Sequence, residues 1–146
     1  MQERVVEIAR SWIGTPYRHQ ASVRGAGSDC LGLIRGVWRT LYGQEPELVP
    51  SYSPDWSEPS GEERLWRAAA RHLEPRAARE TIEQGDVLLF RMRHGSVAKH
   101  LGIYSLLGGS PSLIHAYQGH SVLESPLTEP LRNRVVARFA FPEGSS

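Results

Sequence analysis

The hydrophobic pattern changes period near residue 80, and that change limits the folds open to this chain. Before it, apolar residues recur at helical spacing. Val5, Ile8, Ala9, Trp12 and Ile13 stand at i, i+3, i+4, i+7 and i+8 across residues 3–13, and Gly14 and Pro16 stop the run. A second stripe of Leu31, Ile34, Val37, Trp38 and Leu41 follows a start at Asp29 or Cys30, which Ser28 or Asp29 can cap; Gly43 stands where a left-handed C′ residue belongs. Ser60-Gly61-Glu62-Glu63 reads as a capping box ahead of Leu65, Trp66, Ala69 and Leu73, a third helix that Pro75 ends. Beyond residue 80 the apolar runs are short and strand-like: 87–90, 97–106, 112–118, 122–124 and 135–141, with Gly108-Gly109-Ser110-Pro111 as a hairpin turn. Helices first and consecutive strands later predict an α+β fold, with N-terminal helices packed on a C-terminal antiparallel sheet.

A chain of 146 residues predicts a single domain, residues 1–146, with a core large enough to need no staples. Residues 44–60 carry four prolines and form no long regular element, but Leu48, Val49, Tyr52 and Trp56 anchor them as an ordered surface excursion. Seventeen basic residues stand against 16 acidic ones, evenly distributed, which points to neither a nucleic-acid groove nor an anionic membrane surface. No apolar run approaches the ~18 residues of a membrane span, so no membrane insertion is expected. Charges near the start, Glu3, Arg4 and Glu7, occupy the place of a signal peptide's apolar region, so synthesis in the cytoplasm without a cleaved signal is expected.

The chain has one cysteine, Cys30, which excludes an internal disulfide, a C-x-x-C redox pair and a multi-thiolate zinc site. It is therefore either a small buried hydrophobe or a reactive thiol. Its place in the first turn of a helix favours the thiolate, because the unpaired N–H groups and the positive dipole end lie there. Strand alternation puts Ala98, His100, Gly102 and Tyr104 on one face and Leu113, His115 and Tyr117 on one face of the next strand. Pairing His100 directly opposite His115 matches these faces throughout. Small Ala98 and Gly102 would leave room there for another element, so that a thiol at a helix start could meet His100 while His115 orients it. Two other readings stand beside this one: a structural cross-strand histidine pair, and a Cys-His-His metal site. His19, His72, His94 and His120 read as solvated or capping residues, and His19, close after Tyr17, is also placed to line a cleft. Trp12, Trp38 and Trp66 read as core, and Trp56 as a candidate cleft or partner contact.

Five local strings carry a resemblance. Trp12-Ile13-Gly14-Thr15-Pro16-Tyr17, Ser28-Asp29-Cys30-Leu31-Gly32-Leu33, Gly85-Asp86-Val87-Leu88-Leu89-Phe90, Lys99-His100-Leu101-Gly102-Ile103-Tyr104 and Leu113-Ile114-His115-Ala116 come in the order and spacing of the NlpC/P60 cell-wall peptidases. The stretch from Gly43-Gln44-Glu45-Pro46 through Tyr52-Ser53-Pro54-Asp55-Trp56 resembles the branch encoded by tailed phages and gene transfer agents. The resemblance implies a papain-like fold and hydrolysis of an amide in the peptidoglycan stem peptide, typically between D-γ-glutamate and a diamino acid. It implies Cys30 as nucleophile, His100 as base and His115 as the third, polar member, with Tyr17 beside the nucleophile and Asp29 preceding it as oxyanion or substrate-positioning residues. No metal or cofactor is implied. Leu31 departs from the family, most of which has serine there, and puts fine substrate contacts in doubt.

The expected mechanism has His100 holding Cys30 as a thiolate. The expected setting is a phage or gene-transfer-agent tail tip, with tail and baseplate proteins as partners, because the substrate lies outside the cell. A structural baseplate component on a peptidase fold, with little or no activity, is the alternative. The proline-rich excursion and the C-terminal tail are the candidate docking surfaces.

Overall fold

A computed structural model describes residues 1–46, 52, 62–77, 80–93 and 95–143. Helix α1 spans Gln2–Arg10, one turn shorter at its C-terminal end than the periodicity predicts. Residues 11–14 continue it only as a turn, and this leaves Ile13 46% exposed while Trp12 still reaches the core. A short hairpin, β1 (Ser22–Val23) and β2 (Gly27–Ser28), lies in the loop that follows. Helix α2 spans Cys30–Tyr42, with Asp29 as its N-cap and Gly43, at φ 87°, closing it in the left-handed conformation. The Trp12 indole packs against α2 at Gly36, where an added Cβ would stand 2.0 Å from the indole Cζ2; only glycine permits this approach.

Helix α3 spans Arg64–His72. Its N-cap is Glu63, whose carboxylate turns away from the helix and accepts from the Ala98 N–H at 2.8 Å and from Arg91 at 2.9 Å. Ser60 and Gly61 of the expected capping box lie outside the described residues, as do Leu48, Val49, Trp56 and His94. Pro75 follows the end of α3 and belongs to a strand, β3 (Glu74–Arg76), which pairs only with β8 and so lies at the sheet edge.

The remaining strands are β4 (Val87–Phe90), β5 (His100–Leu107), β6 (Ser110–His115), β7 (Leu123–Pro126) and β8 (Val135–Ala140); a four-residue helix, α4 (Glu129–Arg132), precedes β8. They form a six-stranded antiparallel sheet in the order β3-β8-β4-β5-β6-β7. Val87, Leu89, Leu101, Ile103 and Ile114 face the helices and join Val5, Ala9, Leu33 and Val37 in one buried core. Fully burying a leucine-sized side chain contributes about 1.5–3 kcal/mol, so this layer is the main source of stability. Leu88, Phe90 and Leu113 face the other way, into a smaller cluster completed by Leu127.

The β5–β6 hairpin differs from the expected register. Ile103 pairs with Ile114 and Tyr104 with Leu113, which places every partner two residues further along than a direct His100–His115 pairing requires. A shift of two preserves both faces, so alternation alone cannot detect it. The space beside Gly102 is also not open. The Leu113 side chain fills it, 2.6 Å from where a Cβ would stand. Helix α2 packs on the opposite face, over Leu101 and Ile103.

Candidate active site

Asp29 organises the start of α2. Its Oδ1 accepts from the Gly32 N–H at 2.7 Å, the N-cap bond, and its Oδ2 accepts from the Gln20 N–H at 2.7 Å and from the Tyr52 hydroxyl. The carboxylate is almost wholly buried and both oxygens are engaged within the protein. Tyr52 is held from a second side, since its carbonyl meets His19 Nε2 at 2.6 Å. Asp29 thereby ties α2, the preceding loop and Tyr52 together at the residue before Cys30.

Cys30 is a free thiol on the first residue of α2, 8% exposed, with Sγ 3.9 Å from the Lys99 carbonyl at the entrance to β5. His100 is the first residue of β5 and is also 8% exposed. Both line one cleft of about 440 Å³, together with Tyr17, His115 and Tyr117. The helix start and the strand start thus converge at one end of the sheet, rather than through helix packing on the histidine face.

The register shift does not separate the histidines. His100 and His115 sit on adjacent strands as diagonal neighbours, and His100 Nε2 lies 2.8 Å from His115 Nδ1. His115 Nε2 is 3.0 Å from Ser125 Oγ on β7. The result is a row of polar side chains across three neighbouring strands, with Tyr117 packed against His115 at a 4.9 Å ring separation and edge-on to His100 at 6.2 Å. The two imidazoles direct nitrogens at each other rather than at a shared point. Among the described residues, no group of three His, Cys, Asp or Glu side chains is arranged to hold a metal ion.

Burial sets the protonation of these groups. It pushes the Cys30 thiol up to about 12, with the nearby Asp29 charge adding to the shift. It lowers His100 to about 3, helped by His115, and His115 to about 4, helped by His120. Both shifts favour the uncharged thiol and the uncharged imidazoles, the opposite direction from the thiolate expected of a helix start. Burial, then the charges of Cys30 and Asp29, raise the Tyr17 phenol to about 12, which keeps its hydroxyl a donor.

All the sequence-derived site residues, Tyr17, Asp29, Cys30, His100 and His115, reach this one cleft. Leu31, the departure from the family pattern, lines a separate cavity of about 380 Å³ between α2 and α3. Ser125, Tyr52 and Tyr117 also line the cleft and are not among the site residues the sequence singles out; His19 lines it too, the second of the two places its position after Tyr17 allows. Ser125 was detectable: extending strand alternation to a third strand places it on the face of His115, since Leu123 pairs with His115 and Ser125 with Leu113.

The NlpC/P60 family model matches residues 14–139. The chain belongs to the NlpC/P60 family. It is 29% identical over 125 residues to a gamma-DL-glutamyl hydrolase of Bacillus subtilis (strain 168), covering 86% of this chain and 25% of that protein. The chain thus spans a quarter of the length of that curated relative. Among solved structures, the NlpC/p60 domain of peptidoglycan hydrolase SagA matches 97% of this chain and 99% of its own, with a TM-score of 0.62 and 22% identity. An NlpC/P60 family protein from Bacillus cereus ATCC 10987 matches 94% of this chain and 39% of its own, with a TM-score of 0.64 and 18% identity. These two likenesses establish the α+β NlpC/P60 fold, with N-terminal helices on an antiparallel sheet.

Proposed function

We propose that this chain is a cysteine endopeptidase that hydrolyses an amide in the peptidoglycan stem peptide, of the D-γ-glutamyl–diamino acid type. The observation that carries the reading is the convergence, in one cleft, of Cys30 at a helix start with a hydrogen-bonded His100–His115 pair. Family membership and the gamma-DL-glutamyl name of the Bacillus relative support the choice of bond.

The chemistry follows from the nitrogens. His100 Nε2 is engaged by His115, so Nδ1 is the nitrogen left to take the thiol proton. Because burial favours the neutral pair, that proton moves to Nδ1 as Sγ attacks the substrate carbonyl. The oxyanion is met by the Cys30 N–H, which lies in the first helical turn without an intrahelical acceptor, and by the Tyr17 hydroxyl. An oxyanion donor contributes roughly 2.7–4 kcal/mol in well-studied hydrolases. Collapse breaks the C–N bond, and the proton on Nδ1 goes to the leaving amine. Water, activated by the same nitrogen, cleaves the thioester and restores the thiol. Asp29 acts by fixing the helix start rather than by touching substrate.

The finer setting is a phage or gene-transfer-agent tail tip, where the enzyme opens the wall during DNA delivery. The strings at 43–46 and 52–56 support that branch. The catalytic test is release of stem-peptide fragments from purified peptidoglycan by wild type and Cys30→Ala. Activity in wild type and its loss in Cys30→Ala are expected; equal release by both defeats the reading. The setting is tested by mass spectrometry of purified particles, where the protein's absence defeats delivery by the tail.

A further inference from the structure

Ser125 lies beyond the family's three-residue set, yet its hydroxyl closes the row of side chains that begins at His100. Strand β7 is the sheet edge beyond β6, and the pairing of Ser125 with Leu113 points its side chain to the face that carries His115. His115 therefore has both ring nitrogens occupied, Nδ1 by His100 at 2.8 Å and Nε2 by Ser125 at 3.0 Å.

Each of these contacts holds one proton, so the row can be protonated in only two consistent ways. In one, both rings carry hydrogen on Nε2; His100 donates to His115, His115 donates to Ser125, and His100 Nδ1 keeps a lone pair. In the other, Ser125 donates to His115 Nε2, His115 Nδ1–H donates to His100 Nε2, and His100 Nδ1 carries hydrogen and cannot act as a base. Transfer of the thiol proton selects between them. Once both His100 nitrogens are protonated, His115 Nδ1 must accept, His115 Nε2 must keep its hydrogen, and the last partner must be an acceptor. A serine oxygen meets that need at the edge of the sheet, where a second cation would not.

We propose that Ser125 is a positioning residue of the reaction: by accepting the His115 Nε2–H it holds both imidazoles in the tautomers that leave His100 Nδ1 as the base. The inference rests on the peptidase reading of the cleft but not on the identity of the substrate. The groups facing His115 are His100 from β5, Tyr117 and His120 from the segment after β6, and Ser125 from β7. Of these, His120 is a further ionisable ring acting on His115, so a His120→Gln background separates its charge from the effect of Ser125.

The test uses the full chain and iodoacetamide, which reads Cys30 without any substrate because it is the sole thiol. The second-order alkylation rate is followed against pH for wild type, Ser125→Ala, Ser125→Thr and His100→Ala. The expected result is a fall of about five- to tenfold at neutral pH in Ser125→Ala, the worth of one ordinary neutral hydrogen bond, with the profile displaced to higher pH. Ser125→Thr, which keeps the acceptor, restores the rate. Nitrogen-15 spectra of the wild-type histidines are expected to show hydrogen on Nε2 of His115. An unchanged profile in Ser125→Ala, equal loss in the alanine and threonine variants, or hydrogen on Nδ1 of His115 overturns the proposal. An unchanged profile in His100→Ala overturns both it and the cysteine–histidine reading. Failure of wild type to cleave peptidoglycan removes only the substrate assignment and leaves the alkylation test intact.

Discussion

Asp29 makes a prediction in which stability and thiol acidity change in opposite senses. Its carboxylate caps α2 through Gly32, holds the Gln20 N–H and accepts from Tyr52. Loss of an N-cap costs about 1 kcal/mol, and loss of a hydrogen bond to a charged group about 1.5–3 kcal/mol. Loss of the bond from the Tyr52 hydroxyl adds about 1 kcal/mol, but the contacts share one carboxylate and do not sum freely. Asp29→Ala is therefore expected to lose about 3–5 kcal/mol. Asp29→Asn keeps the Gly32 cap but turns an NH2 group toward the Gln20 donor, and is expected to lose about 2–3 kcal/mol. Domains have about 5–15 kcal/mol in hand, so both variants should fold. In urea, with a slope of about 2 kcal/mol per molar, the alanine midpoint should drop by about 1.5–2.5 M. The Asp29 charge, after burial, is a cause of the raised Cys30 pKa, so the Asp29→Asn thiol should alkylate at lower pH than wild type. An Asp29→Ala midpoint within 0.3 M of wild type refutes the clamp, on the scale of about 0.5 kcal/mol. An alkylation profile moved to higher pH in folded Asp29→Asn refutes the electrostatic assignment.

Two other expectations concern the fold. Gly36→Ala should destabilise by about 1–3 kcal/mol, against the gain of about 1 kcal/mol that alanine brings to a helix, because its Cβ would overlap the Trp12 indole; a higher melting temperature in the variant contradicts this. His100 and His115 have depressed folded-state pKa values of about 3 and about 4, so their contribution is full above the unfolded value of about 6.5 and is lost as pH falls through the window down to the folded values. Unfolding free energy should decline across pH 6.5 to 4, and His100→Gln and His115→Gln should each flatten that decline; parallel curves for all three proteins contradict the assignment.

What could be read before any coordinates was whatever depends on period and on chemistry in sequence neighbours. Cys30 sits at a helix start because Asp29 is a capping residue, and both were visible as a pair. The alternation of β5 and β6 placed His100 and His115 on a common face. Register was not legible, because period-two patterns are blind to a shift of two; the shift places Leu113 beside Gly102, filling the gap read as room for a helix. Which face α2 covers was equally hidden, since β5 is buried on both sides and the choice depends on what α1 and α2 bury against it. The direction in which the thiol and imidazoles shift is set by burial, and a local string carries no measure of burial. Pro75 marks the end of a helix in the sequence and also sits in the middle of an edge strand, because a residue without an N–H is tolerated where only one side of the strand is paired.

His100, His115 and Ser125 come one from each of three adjacent strands. Their alignment exists only when the β5–β6 and β6–β7 pairings have both settled correctly, so the cleft inspects the assembly of its own sheet. A molecule trapped with either hairpin slipped by two would keep its helices, its compactness and most of its apolar burial, yet would lack the row of side chains that the proposed mechanism uses to ready Cys30. The fraction of molecules alkylated in a fast phase then becomes a count of correctly zipped sheets. It would distinguish native protein from near-native misfolds that circular dichroism and size alone would pass as identical.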